Sequence, residues 1–363
     1  MRQRSSSPLD VRPMLDKVLH DAVSRRASDV HFEPTATGVD VRYRVDGLLD
    51  TIDHLGADTG QSCVNRLMVL AQLLTYRRDV PQESRFSLTL PECGTRLDLR
   101  LSVMPTTHGL RALVRLPAEF VQPQSLDELG LPPKAHDLLD RYARVDSGML
   151  LICGPAGSGK TTTIYALLQR ILETSPGHSV ISLEDPVERD IPGVTQIEVT
   201  PFGELTYDRV LRSMLRQDPQ VLALGEIRDR ATASIAVQTA LSGHRLIATL
   251  HAARPETAVV RLLEMGIEPY QIASSTFGIV AMRLLRRTDP VHGYRGRVPL
   301  VEAGLIDAAT RQAILHHTDD TSIRAAMAQQ ASFESFAEVA ARLVERGVTD
   351  QAELARSLPE PLI

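Results

Sequence analysis

One short segment of the chain combines the residue types that hold phosphate groups in proteins. Residues 154–161 read GPAGSGKT, which is the pattern of a phosphate-binding loop. Its glycines let backbone N–H groups turn toward phosphate oxygens, and the start of a following helix favours an anion. Lys160 would contact the β- and γ-phosphates of a nucleotide, and the Thr161 hydroxyl would bind Mg²⁺. The residues predicted to bind the nucleotide here are Gly154, Pro155, Ala156, Gly157, Ser158, Gly159, Lys160, Thr161 and Thr162.

Acidic residues follow two later apolar runs of the sequence. Glu226 comes after one run, and Glu184, Asp185 and Glu188 come after the other. A carboxylate at the C-terminal end of a parallel strand lies where open α/β sheets bind their ligands. We therefore assign Glu226 as the residue that orients or deprotonates the attacking water and contacts Mg²⁺ through water. Glu188 is a second catalytic candidate, because the sequence leaves open which acidic residue is the general base.

Four short apolar runs separated by helical stretches predict a parallel sheet. They are residues 149–153, 180–183, 221–224 and 246–250. Continuous apolar runs are typical of strands covered by helices on both faces. The phosphate loop follows the first run and opens a predicted helix at 162–172, which is the context that its pattern requires. His251 follows the last run, at a position from which an imidazole would contact the γ-phosphate.

The N-terminal third of the chain has a different pattern. Apolar residues recur every three or four positions over 11–26, which predicts an amphipathic helix. Apolar and polar residues alternate over 39–45 and 97–103, which predicts half-buried strands, and a further strand is expected at 110–116. These features indicate a small α+β domain with an antiparallel sheet.

The composition is that of an ordinary globular chain. The 363 residues are 43% hydrophobic and 23% charged, and 40 Lys and Arg against 45 Asp and Glu leave a net charge of −5. This weak acidic excess does not favour sequence-independent nucleic-acid binding. Three widely spaced cysteines, Cys63, Cys93 and Cys153, exclude a disulfide framework and favour a reducing compartment. We expect neither a membrane span nor a secretory signal.

Beyond the phosphate loop, the order of the motifs resembles the secretion ATPase superfamily, and in particular the type II secretion and type IV pilus assembly ATPases (GspE/PilB type). The motifs of the second half are LEDPVE at 183–188, LRQDP at 215–219, GEIRD at 225–229, SGH at 242–244, TLH at 249–251, MGIEP at 265–269 and GYRGR at 293–297. Those of the first half are ASDVHFEP at 27–34, RYRVDG at 42–47, PQESR at 81–85 and MPTTHG at 104–109.

The resemblance implies an α/β fold, with a RecA-like P-loop NTPase domain preceded by a small α+β, PAS-like domain. It also implies a hexameric ring that hydrolyses ATP with Mg²⁺ and whose N-terminal domains lend arginines to the phosphates. By motif position, Arg85 and Arg100 are those catalytic arginines. The histidine box of the family points to His244 and His251, and Arg228 is carried over as a nucleotide contact.

Several positions depart from the pattern of the family. Many members have paired cysteines before the GYRGR motif, but none precede Gly293 here, so we expect no structural zinc. Leu110 replaces the usual Glu, Gln220 the usual Asp, and Ala252-Ala253 the usual Thr-Asn. These positions are expected near nucleotide or subunit contacts. A catalytically impaired regulatory paralogue is therefore one alternative.

The sequence as a whole predicts an ATP-hydrolysing hexameric motor of a type II secretion system or type IV pilus assembly machine. The expected domains are residues 1–119, a proline-containing linker at 120–133, the ATPase core at 134–290 and a C-terminal helical region at 291–363. Expected partners are copies of the chain itself, an inner-membrane platform protein and a cytoplasmic-domain adaptor, with no nucleic acid. The expected location is the cytoplasm, peripherally on the bacterial inner membrane. A pilus retraction ATPase and a nucleic-acid translocating motor are the alternatives.

Overall fold

The chain forms two units. A computed structural model describes residues 10–90, 94, 96–116, 123, 125–199, 207–316 and 319–358. The two compact units divide between residues 122 and 123, within the segment expected to be the linker. Cys63 and Cys153 are buried thiols, and Cys93 lies outside the described residues.

The N-terminal unit is built on a six-stranded antiparallel sheet in the order β3-β2-β1-β6-β5-β4. Its strands are β1 (Asp29–Pro34), β2 (Gly38–Val45), β3 (Leu48–Gly56), β4 (Gln82–Thr89), β5 (Arg96–Thr106) and β6 (Gly109–Arg115). Its helices are α1 (Arg12–Ser24) and α2 (Ala57–Leu70). The predicted helix at 11–26 is α1, and the predicted strands at 39–45, 97–103 and 110–116 are β2, β5 and β6.

Alternation along the strands separates the two faces of this sheet. On β5, Leu97, Leu99 and Leu101 are buried in a core with apolar residues of α1 and α2, whereas Arg96 and Arg100 point to the opposite face. A strand places successive side chains on opposite faces, so one face carries the core and the other carries charge.

The C-terminal unit contains a seven-stranded sheet in the order β13-β12-β7-β11-β10-β8-β9. Pairing is parallel throughout except between β12 and β13. The strands are β7 (Gly148–Cys153), β8 (Val180–Glu184), β9 (Thr195–Glu198), β10 (Val221–Leu224), β11 (Arg245–Leu250), β12 (Thr276–Asp289) and β13 (Gly293–Leu305). The four predicted apolar runs are β7, β8, β10 and β11.

Helices cover both faces of this sheet. They are α3 (Pro133–Tyr142), α4 (Lys160–Thr174), α5 (Tyr207–Met214), α6 (Arg230–Leu241), α7 (Pro255–Glu264), α8 (Pro269–Ser275), α9 (Ala308–His316), α10 (Asp320–Ala328), α11 (Phe336–Glu345) and α12 (Gln351–Ser357). On β7, Met149 and Leu151 belong to one core, and Leu150 and Ile152 to the core that includes α3 and α4. Burial on both faces explains the continuous apolar runs.

Two boundaries expected from the sequence differ in the structure. The helical region expected at 291–363 begins with a strand, because β13 pairs along β12 as an antiparallel hairpin and belongs to the sheet. The half of the expected linker that follows residue 124 packs on the C-terminal unit, since Leu126 is buried in its core. Both differences come from contacts with residues distant in sequence.

A buried carboxylate attaches the last helix to the sheet. Glu353 on α12 is fully buried and accepts hydrogen bonds from the backbone N–H and the Nε of Arg286, at 3.0 and 2.9 Å. Arg356 and Ser357 also donate to it. Burial raises the pKa of Glu353, but the hydrogen bonds from Arg356 and Arg286 outweigh burial and hold this pKa at about 2.

Replacing this carboxylate should destabilise the C-terminal unit. Glu353→Gln should lower the free energy of unfolding at pH 7 by about 3 kcal/mol, because it leaves the partly buried guanidinium group of Arg286 without its counter-charge. The folded pKa lies below the ordinary value of 4.5, so the difference from wild type should shrink as pH falls from 4.5 toward 2. Denaturant unfolding followed by circular dichroism measures both effects, with the exposed Glu345→Gln as control. Equal stability of Glu353→Gln and wild type at pH 7 would contradict the stabilising role given to Glu353.

Candidate active site

The phosphate-binding loop joins the carboxyl end of β7 to the first residue of α4. Gly154 has a φ of +148°, and a Cβ built there would lie 2.4 Å from the carbonyl oxygen of Met282 on β12. Gly159 has a φ of +95° and immediately precedes α4. Glycine at 154 is therefore required both by its φ and by the close approach of β12.

The charged end of Lys160 lies within the loop. Its Nζ donates to the carbonyl oxygens of Gly154 and Pro155, both at 2.9 Å. Burial lowers the pKa of Lys160, an effect that the charge of Glu226 partly offsets. Ser158 is also buried, and its Oγ has no hydrogen-bond partner among the described residues. These donors fit a phosphate group, whose oxygens would accept from both side chains.

Glu226 follows β10 and is held by two basic side chains. One carboxylate oxygen accepts from Nε of Arg228 at 2.7 Å, and the other lies 3.0 Å from Nε2 of His251. The side chain keeps 20% of its surface exposed. Nη1 of Arg228 also lies 3.5 Å from a carboxylate oxygen of Asp185. The carboxylate of Glu226 is thus fixed in orientation and still accessible to water.

Glu184 ends β8 and is engaged on both carboxylate oxygens. It accepts hydrogen bonds from Ser182 Oγ at 2.6 Å and from Gln196 Nε2 at 3.0 Å, and it also accepts one from the Tyr165 hydroxyl. The same Tyr165 oxygen accepts from the backbone N–H of Glu188 at 3.1 Å. Through these hydrogen bonds, Glu184 fixes the position of the segment that carries Asp185 and Glu188. That segment borders the cleft.

These residues surround one cleft of about 340 Å³ at the carboxyl edge of the parallel sheet. Of the predicted site residues, the cleft is lined by Ala156, Gly157, Lys160, Thr161, Glu184, Asp185, Glu188, Glu226, Arg228 and His251. Arg85 and Arg100 belong to the N-terminal unit, where they lie opposite each other on β4 and β5.

The structure places His244 outside the cleft, contrary to the expected site. It precedes β11, whereas His251 follows that strand, so strand geometry separates them by roughly 20 Å. Nδ1 of His244 lies 3.1 Å from Ser242 Oγ and 3.2 Å from the Thr239 carbonyl oxygen. His244 is therefore at the amino edge of the sheet and does not line the cleft.

The structure shows the surroundings of two of the departures from the family pattern, each within its own unit. Gln220 precedes β10 at the amino edge of the sheet, where its Oε1 accepts from the backbone N–H of Ser179 at 2.7 Å. Leu110 is buried in the core of the N-terminal unit. Gln220 thus lies at the edge opposite the phosphate loop of its own chain and not near that nucleotide site, and its expected position near a subunit contact stays a prediction.

The cleft is also lined by residues that were not predicted from the sequence, among them Tyr165, Tyr207 and Thr249. Tyr165 is one turn beyond the loop on α4 and contacts Glu184. The hydroxyl of Tyr207 accepts from the backbone N–H of Glu226 at 3.4 Å. Thr249 donates to the carbonyl oxygen of Gly225 at 2.5 Å. Of these, Thr249 could have been identified from the sequence, because it lies two residues before His251 at the same strand end.

The structure also bears on metals and membranes. Within the part of the chain that is described, no three His, Cys, Asp or Glu side chains are grouped so that they could hold a metal ion. Among the helices described, none combines the length and the apolar character needed to cross a membrane. The expectation that the protein contains no zinc stays a prediction.

The fold and the cleft define the class of this protein. A phosphate loop after a parallel strand, with a carboxylate after a neighbouring strand, is the arrangement of a P-loop NTPase domain of the RecA type. The sequence matches the family described as Type II/IV secretion system protein over residues 4–356. The chain belongs to that family.

Individual relatives agree with this membership. The type II secretion system protein HxcR of Pseudomonas aeruginosa is 38% identical over 363 aligned residues, which cover 94% of this chain and 76% of HxcR. The type II secretion system ATPase E of Vibrio cholerae is 40% identical over 277 residues, which cover 76% of this chain and 54% of that protein.

Solved structures share the fold. The ATPase DotB of Legionella pneumophila has a TM-score of 0.75 at 21% identity, covering 97% of this chain and 96% of DotB. The pilus retraction motor PilT with bound ADP has a TM-score of 0.69 at 24% identity, covering 95% of this chain and 97% of PilT. The predicted resemblance to secretion ATPases and the predicted RecA-like fold are confirmed.

Removing the ammonium group from the loop should weaken nucleotide binding. Lys160→Ala should reduce the affinity for Mg²⁺-ATP by roughly 10- to 100-fold, the scale of a charge-assisted hydrogen bond of about 1.5–3 kcal/mol. Titration with a fluorescent ATP analogue measures this affinity. Lys17→Ala, at an exposed position of α1, is the matched control and should bind like wild type. Wild-type affinity in Lys160→Ala would contradict the site.

Proposed function

We propose that this secretion ATPase hydrolyses Mg²⁺-bound ATP in the cleft as the hexameric motor of a type II secretion system or a type IV pilus assembly machine. The observation that carries the proposal is the pairing, in one cleft, of Lys160 with a carboxylate, Glu226, held between Arg228 and His251. The names of the relatives HxcR and ATPase E support a type II secretion machine.

The residues of the cleft divide the reaction among them. Lys160 and the backbone of the loop hold the β- and γ-phosphates. The Thr161 hydroxyl, exposed in the cleft, would hold Mg²⁺, which when bound neutralises phosphate charge. Glu226 orients a water molecule and accepts its proton as the water oxygen bonds to the γ-phosphorus. The bond from that phosphorus to the β–γ bridging oxygen breaks, and ADP leaves with that oxygen.

His251 and Arg228 act on Glu226 in this scheme. Both contact its carboxylate in the structure, so a γ-phosphate arriving near His251 would compete for the same imidazole. Such competition would shift Glu226 toward the attacking water. Glu188 is exposed at the rim of the same cleft and is the competing candidate for the general base.

Arg85 and Arg100 complete the proposed site from the N-terminal unit. They would neutralise the negative charge that develops on the phosphates, as arginine fingers do. The two residues are delivered through ring assembly, and a closed head-to-tail contact between copies of the chain generates such a ring. The ring would transmit movement to an inner-membrane platform protein and a cytoplasmic-domain adaptor, from a peripheral position on the cytoplasmic side of that membrane.

Exchanging one carboxylate for an amide should separate binding from hydrolysis. Glu226→Gln should keep the affinity for Mg²⁺-ATP and lower kcat by about 10²-fold or more, the scale of losing a general base. Glu188→Gln should lower kcat much less, and Glu173→Gln, an exposed carboxylate of α4, should not change it. A larger loss in Glu188→Gln than in Glu226→Gln would move the general base to Glu188.

Hydrolysis should require assembly. The rate per chain should rise with protein concentration until the ring is populated, because in this proposal ring assembly brings Arg85 and Arg100 to the phosphate loop. Light scattering over the same dilution series gives the mass of the assembly, and the rate should follow the hexamer fraction. A monomer with full activity at every dilution would contradict the ring and the role of Arg85 and Arg100.

A further inference from the structure

The hydroxyl of Tyr165 is bonded to both ends of the acidic segment, the name we give to residues 184–188. It donates to a carboxylate oxygen of Glu184, the first residue of this segment, whose side chain is buried. The same hydroxyl oxygen accepts from the backbone N–H of Glu188, the last residue, at 3.1 Å. One side chain thus joins the two ends of the acidic segment.

The place of Tyr165 on α4 relates the acidic segment to the phosphate loop. Lys160 of the loop is the first residue of α4, and Tyr165 lies further along the same helix. A rise of 1.5 Å per residue separates the two by roughly 7 Å along the helix axis. Both residues line the cleft. The hydroxyl of Tyr165 therefore holds the acidic segment at a fixed distance from the phosphate loop.

The acidic segment reaches both candidates for the general base. Glu188 belongs to the segment itself. A carboxylate oxygen of Asp185 lies 3.5 Å from Nη1 of Arg228, and Nε of Arg228 donates to Glu226 at 2.7 Å. A displacement of the segment would therefore move Glu188 directly, and it would move Glu226 through Asp185 and Arg228.

Arg189 packs over the ring of Tyr165 at a cost to the fold. Its guanidinium carbon lies 5.5 Å from the centre of the ring. Arg189 is 8% exposed, and neither of its Nη atoms has a hydrogen-bond partner within the described part of the chain. Burying a guanidinium group without such partners is unfavourable. The cation–π contact offsets part of this cost and restricts the orientation of the ring.

We propose that Tyr165 is a positioning residue for ATP hydrolysis, which acts through Glu184 and the acidic segment, and that Arg189 holds its ring in place. The inference rests on the proposed function, in which the cleft hydrolyses ATP. Tyr165 sets the distance between the bound phosphates and the carboxylates. Its removal would cost rate because a misplacement of about 1 Å can slow a reaction by about 10²-fold.

The first test compares Tyr165→Phe with wild type in the full chain, at concentrations that populate the assembly. This variant keeps the ring and removes the hydroxyl. kcat should fall roughly 10- to 100-fold, the scale of a misplacement of about 1 Å. The dissociation constant of a non-hydrolysable ATP analogue should stay within about twofold of wild type, because the phosphate loop is unchanged.

Tyr142→Phe is the matched control. Tyr142 is also buried in the C-terminal unit, and its hydroxyl donates to the carbonyl oxygens of Gly148 and Leu246 at 3.0 and 2.8 Å. Those residues lie at the amino ends of β7 and β11. Tyr142→Phe should lower the melting temperature and keep kcat within about twofold of wild type. Equal losses of kcat and melting temperature in the two variants would overturn the inference, since Tyr165 would then serve only the fold.

A double-variant cycle tests the route through Glu184. Tyr165→Phe and Glu184→Gln alter the two partners of one hydrogen bond. The variant with both substitutions should match the kcat of Glu184→Gln within about twofold, because residues that act through one contact are not additive. Fully additive losses of kcat would overturn this route.

Arg189→Met tests the support of the ring without weakening the fold. It removes a buried charge that has no hydrogen-bond partner at its Nη atoms, so the melting temperature should rise or stay unchanged. kcat should nevertheless fall roughly 2- to 10-fold, the scale of a buried cation–π contact. Arg189→Lys should recover part of the loss, because it restores a positive charge. An unchanged kcat in Arg189→Met would overturn the role of Arg189.

The same measurements separate failure of this inference from failure of the proposed function. Wild-type turnover in Lys160→Ala would overturn both, since the cleft would not be the site of hydrolysis. A wild-type kcat in Tyr165→Phe, together with a loss in Glu226→Gln, would overturn only the positioning role of Tyr165.

Discussion

Parallel pairing of β7, β11, β10 and β8 determines where every charged group of the cleft lies. Each of these strands is buried on both faces, so polar side chains are accommodated where the strands end. Because the strands run in the same direction, the loop after β7, Glu226 after β10 and His251 after β11 all reach one edge. The site is therefore a consequence of strand direction, and its chemistry depends on which residue follows each strand.

The charged groups Lys160 and Glu226 of the cleft each have partners within the protein. Lys160 is held by carbonyl oxygens inside the loop, and burial lowers the pKa of its ammonium group. Glu226 contacts Arg228 and His251 on its two oxygens. An arriving triphosphate would add negative charge beside these basic groups and would compete with their present partners. In the proposed mechanism, nucleotide binding is thereby coupled to the position of Glu226.

Much of this arrangement could be predicted from the sequence, because continuous apolar runs and a phosphate-loop pattern are local signals. The rest depends on contacts between distant residues. His244 and His251 are equivalent as motif residues, but they flank opposite ends of β11, and only pairing with β7 shows which end bears the loop. The contact of Tyr165 with Glu184 joins α4 to β8, and β13 is a strand because β12 pairs with it. No periodicity in the sequence predicts these contacts between distant residues.

The two units keep different parts of the proposed chemistry. The C-terminal unit supplies the loop and the carboxylate, whereas Arg85 and Arg100 lie opposite each other on the N-terminal sheet. In the C-terminal unit, Glu353 offsets the charges of Arg286 and Arg356, so a like-charge cluster is compensated where it serves only the fold. On the N-terminal sheet, the buried carboxylate of Asp29 pairs in the same way with Arg115. Under the proposed function, the arginines of one unit neutralise phosphates that are bound in the other unit, and hydrolysis is then a property of the assembly.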